Sequence, residues 1–327
     1  MGGPAPIFLA AALWALSAAF PPAARADASP RHAERGVSAY RAGQYDLARM
    51  FFAKALQDAV LKGREDWIAK ATFNLVDLEL DAENGIEAAR LLEGLRARET
   101  GARAVWLWKR SQLAFLRRDL SRATSLIDSA LALAGGDEEA ETSMRLDRMR
   151  YLIRSGSEPV WSREYQALRK KAGRKRSAPL DAMAAAARGR FARADTLWRE
   201  SMERYREQGR LAKVAGSLNQ SAICLFALGR RAEAAEANAR AVAIFAELGL
   251  EIPGLRAQAL RLLLAEDQGE LAKLRRDMDL LVGRLDGFDL QGILDEYSHS
   301  LRFGATGNRD QPGGQSPDPG SPFLLHP

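Results

Sequence analysis

The stretch GQYDLARMFFAKALQDA, residues 43–59, decides how the rest of the chain is read. Within it Ala48, Phe52 and Ala55 stand four and then three positions apart. On a helix they share one face, where the alanines let a neighbouring helix approach and the bulky residue fills the gap between. Gly43 lies five residues ahead of Ala48, where a turn would fall, and Gly36 lies twelve ahead, on a preceding helix. The same spacing returns at Ala88-Leu92-Leu95, Ala123-Ile127-Ala130, Ala194-Trp198-Ser201 and Ala234-Asn238-Ala241. Gly189 and Gly229 repeat the part of Gly43, and Ser111, Ala182 and Ala222 repeat that of Gly36. One such triplet is an ordinary amphipathic helix. Five of them in step with turn glycines describe a repeated unit of helix, tight turn and second helix.

The leading alanines are separated by 40, 35, 71 and 40 residues. The 71 is close to two units, so a degenerate repeat is expected inside it, with Glu139 to Arg154 as one helix and Trp161 to Lys171 as its partner, punctuated by Gly156 and Pro159. A further hairpin, Leu255 to Leu264 and Glu270 to Leu281, keeps the helical period without the alanines and reads as a terminal cap. No alternating Val, Ile or Thr run suggests a strand, so the fold expected is all-α.

The pattern resembles the tetratricopeptide repeat family, a helical hairpin of about 34 residues that stacks into a solenoid. The resemblance covers roughly residues 31–250 and is fullest in the first unit, with Gly36, Tyr45, Ala48, Phe52 and Ala55 in place. Asn238 and Arg231 stand where earlier units carry apolar residues, and no unit keeps the family's proline after its second helix. The resemblance implies a right-handed superhelix whose concave face is lined by the first helix of each hairpin. It implies that protein or peptide segments lie in that groove.

Composition suits this reading, with 47% hydrophobic and 28% charged residues giving enough apolar surface for a long folded domain. Residues 1–26 are set apart. Ile7 to Phe20 is apolar but shorter than the ~20 residues of a spanning helix, and Ala24-Arg25-Ala26 before Asp27 is a small-x-small cleavage signature. A signal peptide cut after Ala26 is therefore expected, with export to the bacterial periplasm and no transmembrane helix after processing. A cytoplasmic repeat regulator with a misread N-terminus is the alternative. The repeat domain is expected over 27–303. From 304 to 327, five glycines and five prolines in 24 residues mark a tail without helical period. Cys224 is the single cysteine, so no intrachain disulfide can form, and its place in an apolar first helix points to an inert buried thiol.

Catalytic signatures are sparse. His32, His299 and His326 are each remote from Cys224, and Glu296 with His299 lacks a second histidine. No phosphate loop, Gly-x-Ser-x-Gly elbow or HExxH sequence occurs. The expectation is a binding protein, not an enzyme, without cofactor or metal.

Carrying the family's groove positions onto the first helices gives Tyr40 and Arg41, then Asn74, Asp77 and Asp81. The next units give Trp108, Lys109, Gln112 and Phe115, and later Asn219, Gln220, Ile223 and Phe226. Aromatic anchors beside amide and charged groups suit a protein-binding surface. They lack the Lys, Asn and Arg set by which some family members clamp a terminal carboxylate. A second candidate surface is basic. Arg145, Arg148, Arg150 and Arg154 are followed by Arg163, Arg169, Lys170, Lys171, Arg174, Lys175 and Arg176. Such a cluster attracts polyanions. Nucleic acid is disfavoured, because no nucleic-acid fold signature occurs and an exported protein rarely meets nucleic acid. Anionic lipid or an acidic glycan fits better. The sequence thus leaves two functional readings, a groove for protein segments and a polyanion-binding adaptor.

Overall fold

The computed structural model describes residues 28–95, 100–135, 137–156, 158–265, 268–282 and 293–294. The expected leader, the tail, His299 and His326 lie outside them. Among the described residues the chain is helical throughout, without a strand. We number the helices α1 (Ser29–Arg41), α2 (Tyr45–Leu61), α3 (Glu65–Asp81), α4 (Gly85–Gly94), α5 (Thr100–Leu116), α6 (Leu120–Leu133) and α7 (Glu138–Arg154). They continue as α8 (Glu158–Ala187), α9 (Phe191–Glu207), α10 (Leu211–Ala227), α11 (Arg231–Glu247), α12 (Glu251–Leu264) and α13 (Gln268–Val282). Each helix packs chiefly on its sequence neighbours, and the result is a solenoid of helical hairpins.

The best-formed helices are 17 residues long and are joined by three-residue turns. The end of α10 shows how such a turn closes. Gly229 takes φ 76°, a left-handed conformation open to glycine, and the amides of Gly229 and Arg230 return to the carbonyls of Phe226 and Leu225, both at 2.9 Å. Two 17-residue helices with their turns make a 40-residue unit, as the Ala194 to Ala234 spacing requires. The unit is longer than that of the family it resembles.

The alanine triplets form the seams. Ala48, Ala55, Ala88, Ala123, Ala130, Ala194, Ala234 and Ala241 are all fully buried, and Phe52, Leu92, Ile127 and Trp198 fill the spaces between them. Leu95 ends α4 and is half-buried. The polar Asn238 fits its seam because its amide nitrogen donates to Asn219 Oδ1 and to the Ala257 carbonyl, each at 2.9 Å. One buried side chain therefore ties α10, α11 and α12 together.

The degenerate unit is present. α7 covers its first helix, with Asp137 capping the amides of Glu139 and Ala140. α8 is interrupted at Gly173, whose φ of 74° and ψ of 157° are not helical. Its first arm completes the hairpin begun by α7, and its second arm begins the hairpin completed by α9. The expected cap is α12 with α13, and its apolar face covers α10 through Leu255, Leu260 and Met278.

One feature is not written in any local pattern. The solenoid closes on itself, bringing the first two hairpins against α10, α11 and α12. Ala39, Tyr45, Ala48, Phe52, Leu75 and Leu78 share one apolar cluster with Ala215, Leu218, Phe245, Leu250 and Ala257. Two ion pairs cross the closure, Lys213 to Asp81 at 3.0 Å and Arg256 to Glu83 at 2.9 Å. Glu83 holds φ at 55° in the turn position that glycine takes in most other units and Arg118 takes after α5. A non-glycine residue costs about 1–2 kcal/mol there, and its carboxylate spans the closure to Arg256.

Candidate functional site

Closure leaves an open-sided chamber of about 990 Å³. Its wall is built from the first helices of successive hairpins. α1 contributes Val37, Tyr40 and Arg41, and α3 contributes Asn74, Asp77 and Asp81 at helical spacing. α5 contributes Trp108, Gln112 and Phe115, and α7 contributes Asp147, Arg150 and Tyr151. Tyr205, Gln208, Arg210 and Lys213, around the α9–α10 turn, complete the wall from the far arc.

Three carboxylates organise this wall. Asp147 accepts from Trp108 Nε1 at 2.7 Å and from Gln112 Nε2 at 2.8 Å, and pairs with Arg150 at 3.3 Å. Asp81 accepts from the Tyr40 hydroxyl and pairs with Lys213. Asp77 pairs with Lys109 at 2.5 Å, and the Lys109 ammonium also lies 4.3 Å from the centre of the Trp108 ring. Phe115 stacks on Tyr151 with centroids 4.8 Å apart, and the Tyr151 hydroxyl meets Ser111 Oγ at 3.1 Å.

The titration behaviour follows from these surroundings. Water reaches Asp77, but desolvation within the protein ring raises its carboxyl. Lys109 opposes the rise, and Asp81 and Asp147 add to it. Asp81 ends below the ordinary carboxylate range, because Lys213, the Tyr40 hydroxyl and Arg210 together outweigh its desolvation. Burial, then Asp81, push the Tyr40 phenol far above its usual range.

The two aspartates therefore link oppositely to folding. Asp81, depressed in the folded state, contributes stability that is present above the unfolded carboxylate pKa and lost as pH falls through its folded value. Replacing Asp81 by asparagine should lower unfolding stability at neutral pH, with the deficit vanishing in acid. Urea titrations of both proteins across pH 2–7 would check this, and a deficit that persists at pH 2 would show that Asp81 acts through shape alone.

The sequence-derived candidates separate. Tyr40, Arg41, Asn74, Asp77, Asp81, Trp108, Gln112 and Phe115 come together on the chamber wall. Lys109 is buried behind it, holding Asp77. Asn219 and Gln220 line a separate recess of about 40 Å³ beside the closure pairs. Ile223 and Phe226 do not reach the chamber. The cap hairpin covers the inner face of α10 at this end, so Ile223 is core and Phe226 packs against that core with the Arg231 guanidinium 5.1 Å from its ring centre.

The basic stretch is divided by its partners. Arg145 pairs with Glu141, Arg148 with Asp128 and Glu164, and Arg150 with Asp147. Arg154 is buried. Arg169 pairs with Asp181 at 3.1 Å, while Lys170 is exposed. The side chains of Arg163, Lys171, Arg174, Lys175 and Arg176 lie outside the described residues. The thiol of Cys224 is fully buried, and desolvation, with Asp195 nearby, holds it protonated well above its usual range.

Among the described residues no group of three acidic, histidine or cysteine side chains is placed to hold a metal ion, and no helix is long and apolar enough to cross a membrane. No protein-family model matches the chain, and no curated protein gives a significant match.

Proposed function

We propose that this chain is a repeat scaffold of the tetratricopeptide type that binds an extended segment of a protein partner inside its ring. The observation that carries the reading is the chamber, whose wall presents aromatic rings, amides and charged groups from four consecutive hairpins. Its volume of about 990 Å³ stands at the upper end of the ~300–1,000 Å³ typical of ligand pockets, room for a short peptide. Aromatic anchors surrounded by fixed polar groups are how protein-binding surfaces concentrate affinity. The leader-like residues 1–26 support an exported, periplasmic place of work, with a part in assembling the cell envelope.

Asn74 lies on the chamber wall at the level of Asp77, so a tryptophan there would fill the space a segment needs. Asn74→Trp should keep wild-type helicity and lose capture of its partner from an envelope extract by at least about tenfold. Changing Lys170, Lys171, Arg174, Lys175 and Arg176 together to glutamine should leave that capture intact. The opposite result, loss with the five glutamines and retention with Asn74→Trp, would move the site to the basic stretch. A steep fall of binding with salt would accompany it, because exposed charges are screened over about 8 Å at physiological ionic strength.

A further inference from the structure

Residues that close the ring also line the chamber, so the state of one bears on the other. This rests on the reading of the chamber as a site for a protein segment. Tyr40 and Asp81 reach the wall from the first hairpins, and Arg210 and Lys213 reach it from the α9–α10 turn. Lys213 pairs with Asp81 at 3.0 Å, and Arg210 donates to the Tyr40 hydroxyl. A segment lying against all four touches two arcs of the solenoid that are remote in sequence.

The arcs are joined less firmly than the helices within them. Around the solenoid every helix packs along its sequence neighbour, whereas no helix of α1 to α3 packs along one of α10 to α12. The backbones approach at Gly209, which lies against the Arg41 carbonyl, and side chains carry the shared apolar cluster and the two ion pairs. Those pairs stay within reach of water. Lys213 is 25% exposed and Asp81 17%, Arg256 12% and Glu83 15%, so parting them rehydrates the charges and does not strand them in the protein. The other break in the solenoid, at Gly173, is held more tightly. Trp161, Tyr165 and Leu168 before it share one apolar core with Leu180 and Met183 after it, and Asp181 beyond the break accepts from the Tyr165 hydroxyl and pairs with Arg169 at 3.1 Å. The closure is therefore the seam that gives first.

We infer that the closure is a clasp linked to the chamber: the ring alone exchanges between closed and parted forms, and a segment that touches both arcs holds it closed. Such a segment binds the closed form in preference and shifts the balance toward it. By the same linkage, whatever favours closure tightens binding. Arg256 is placed to reveal this. Its guanidinium pairs with Glu83 at 2.9 Å and ties α12 to the α3–α4 turn, yet it lies in the small recess beside the chamber and not on the chamber wall. It is a positioning residue, acting on the bound segment through closure.

The test uses displayed random nine-residue peptides selected on the full chain, discarding those that also bind Asn74→Trp. In fluorescence anisotropy Arg256→Gln should weaken the peptides kept by at least about fivefold. X-ray scattering of the Arg256→Gln chain alone should show a larger radius of gyration than the wild type, and saturating peptide should remove the difference. A second variant separates closure from damage to the fold. With Glu83→Cys and Arg256→Cys together the ion pair is lost and binding should be weak. Joining the two thiols with a short cleavable bismaleimide should restore wild-type affinity, and cutting the linker should lose it again. Cys224 takes no part, because its thiol is fully buried. Peptides that depend on the chamber but bind Arg256→Gln as tightly as the wild type, or that ignore the crosslink, would overturn the clasp and leave the groove reading standing. Failure of any peptide to distinguish the wild type from Asn74→Trp would overturn the groove reading and this inference with it.

Discussion

Gly209→Ala should open the ring, while the same change at Gly229 should not. Both glycines have positive φ, 69° and 76°, so both alanines carry the ~1–2 kcal/mol cost of a left-handed L-residue. They differ in what the new Cβ meets. At Gly229 nothing lies within 4 Å, whereas at Gly209 the Cβ would stand 2.6 Å from the Arg41 carbonyl oxygen. That oxygen is backbone and cannot rotate away. Overpacking of this kind costs a further ~1–3 kcal/mol, so the expected losses are about 2–5 kcal/mol at Gly209 and about 1–2 at Gly229. The chain can relieve the clash by releasing the closure pairs, and X-ray scattering should then show a larger radius of gyration for Gly209→Ala alone. Equal losses with unchanged scattering would show that the two arcs do not meet in solution.

The second large effect is at a seam. Trp198 is 1% exposed, between Ala194 and Ser201 of its triplet, and shares a cluster with Ala182, Met183 and Cys224. Trp198→Ala should cost about 3–5 kcal/mol, the usual loss for a buried aromatic side chain. Its Nε1 is buried without a hydrogen-bond partner among the described residues. An unmet buried donor is itself unfavourable by ~1–3 kcal/mol, so Trp198→Phe, which removes it along with part of the ring, should be much milder. Denaturant midpoints of the two variants would check the difference. Losses of equal size would mean that the indole nitrogen makes a bond that matters.

The seams were legible in the sequence because a helix writes its buried face at a fixed local spacing. Ala48, Phe52 and Ala55 show it, and so does the extra hairpin inside the long gap before Ala194. The residues that α1, α3 and α5 turn to the chamber came from the groove positions implied by the tetratricopeptide resemblance, not from spacing alone. The α7 contribution of Asp147, Arg150 and Tyr151 was not legible, since that unit has lost the alanines that would set its register. Ile223 and Phe226 were misplaced because position within a unit says nothing about a cap folding over the last inner face. Closure was illegible altogether. It depends on curvature accumulated over several hairpins, and the residues it joins, such as Asp81 with Lys213, are remote in sequence. The signal available was Glu83, an acidic residue at a turn position that glycine occupies in most other units.

The most direct measurement is photocrosslinking in the source cell from single benzoylphenylalanine residues. They would be placed at Gln208, on the chamber wall, at Ser129, on the exposed face of α6, and at Lys170, in the basic stretch. Binding inside the ring predicts crosslinks from Gln208 that map to one short contiguous stretch of a single protein, with none from the other two positions. Crosslinks from Lys170 or Ser129 and none from Gln208 would contradict it.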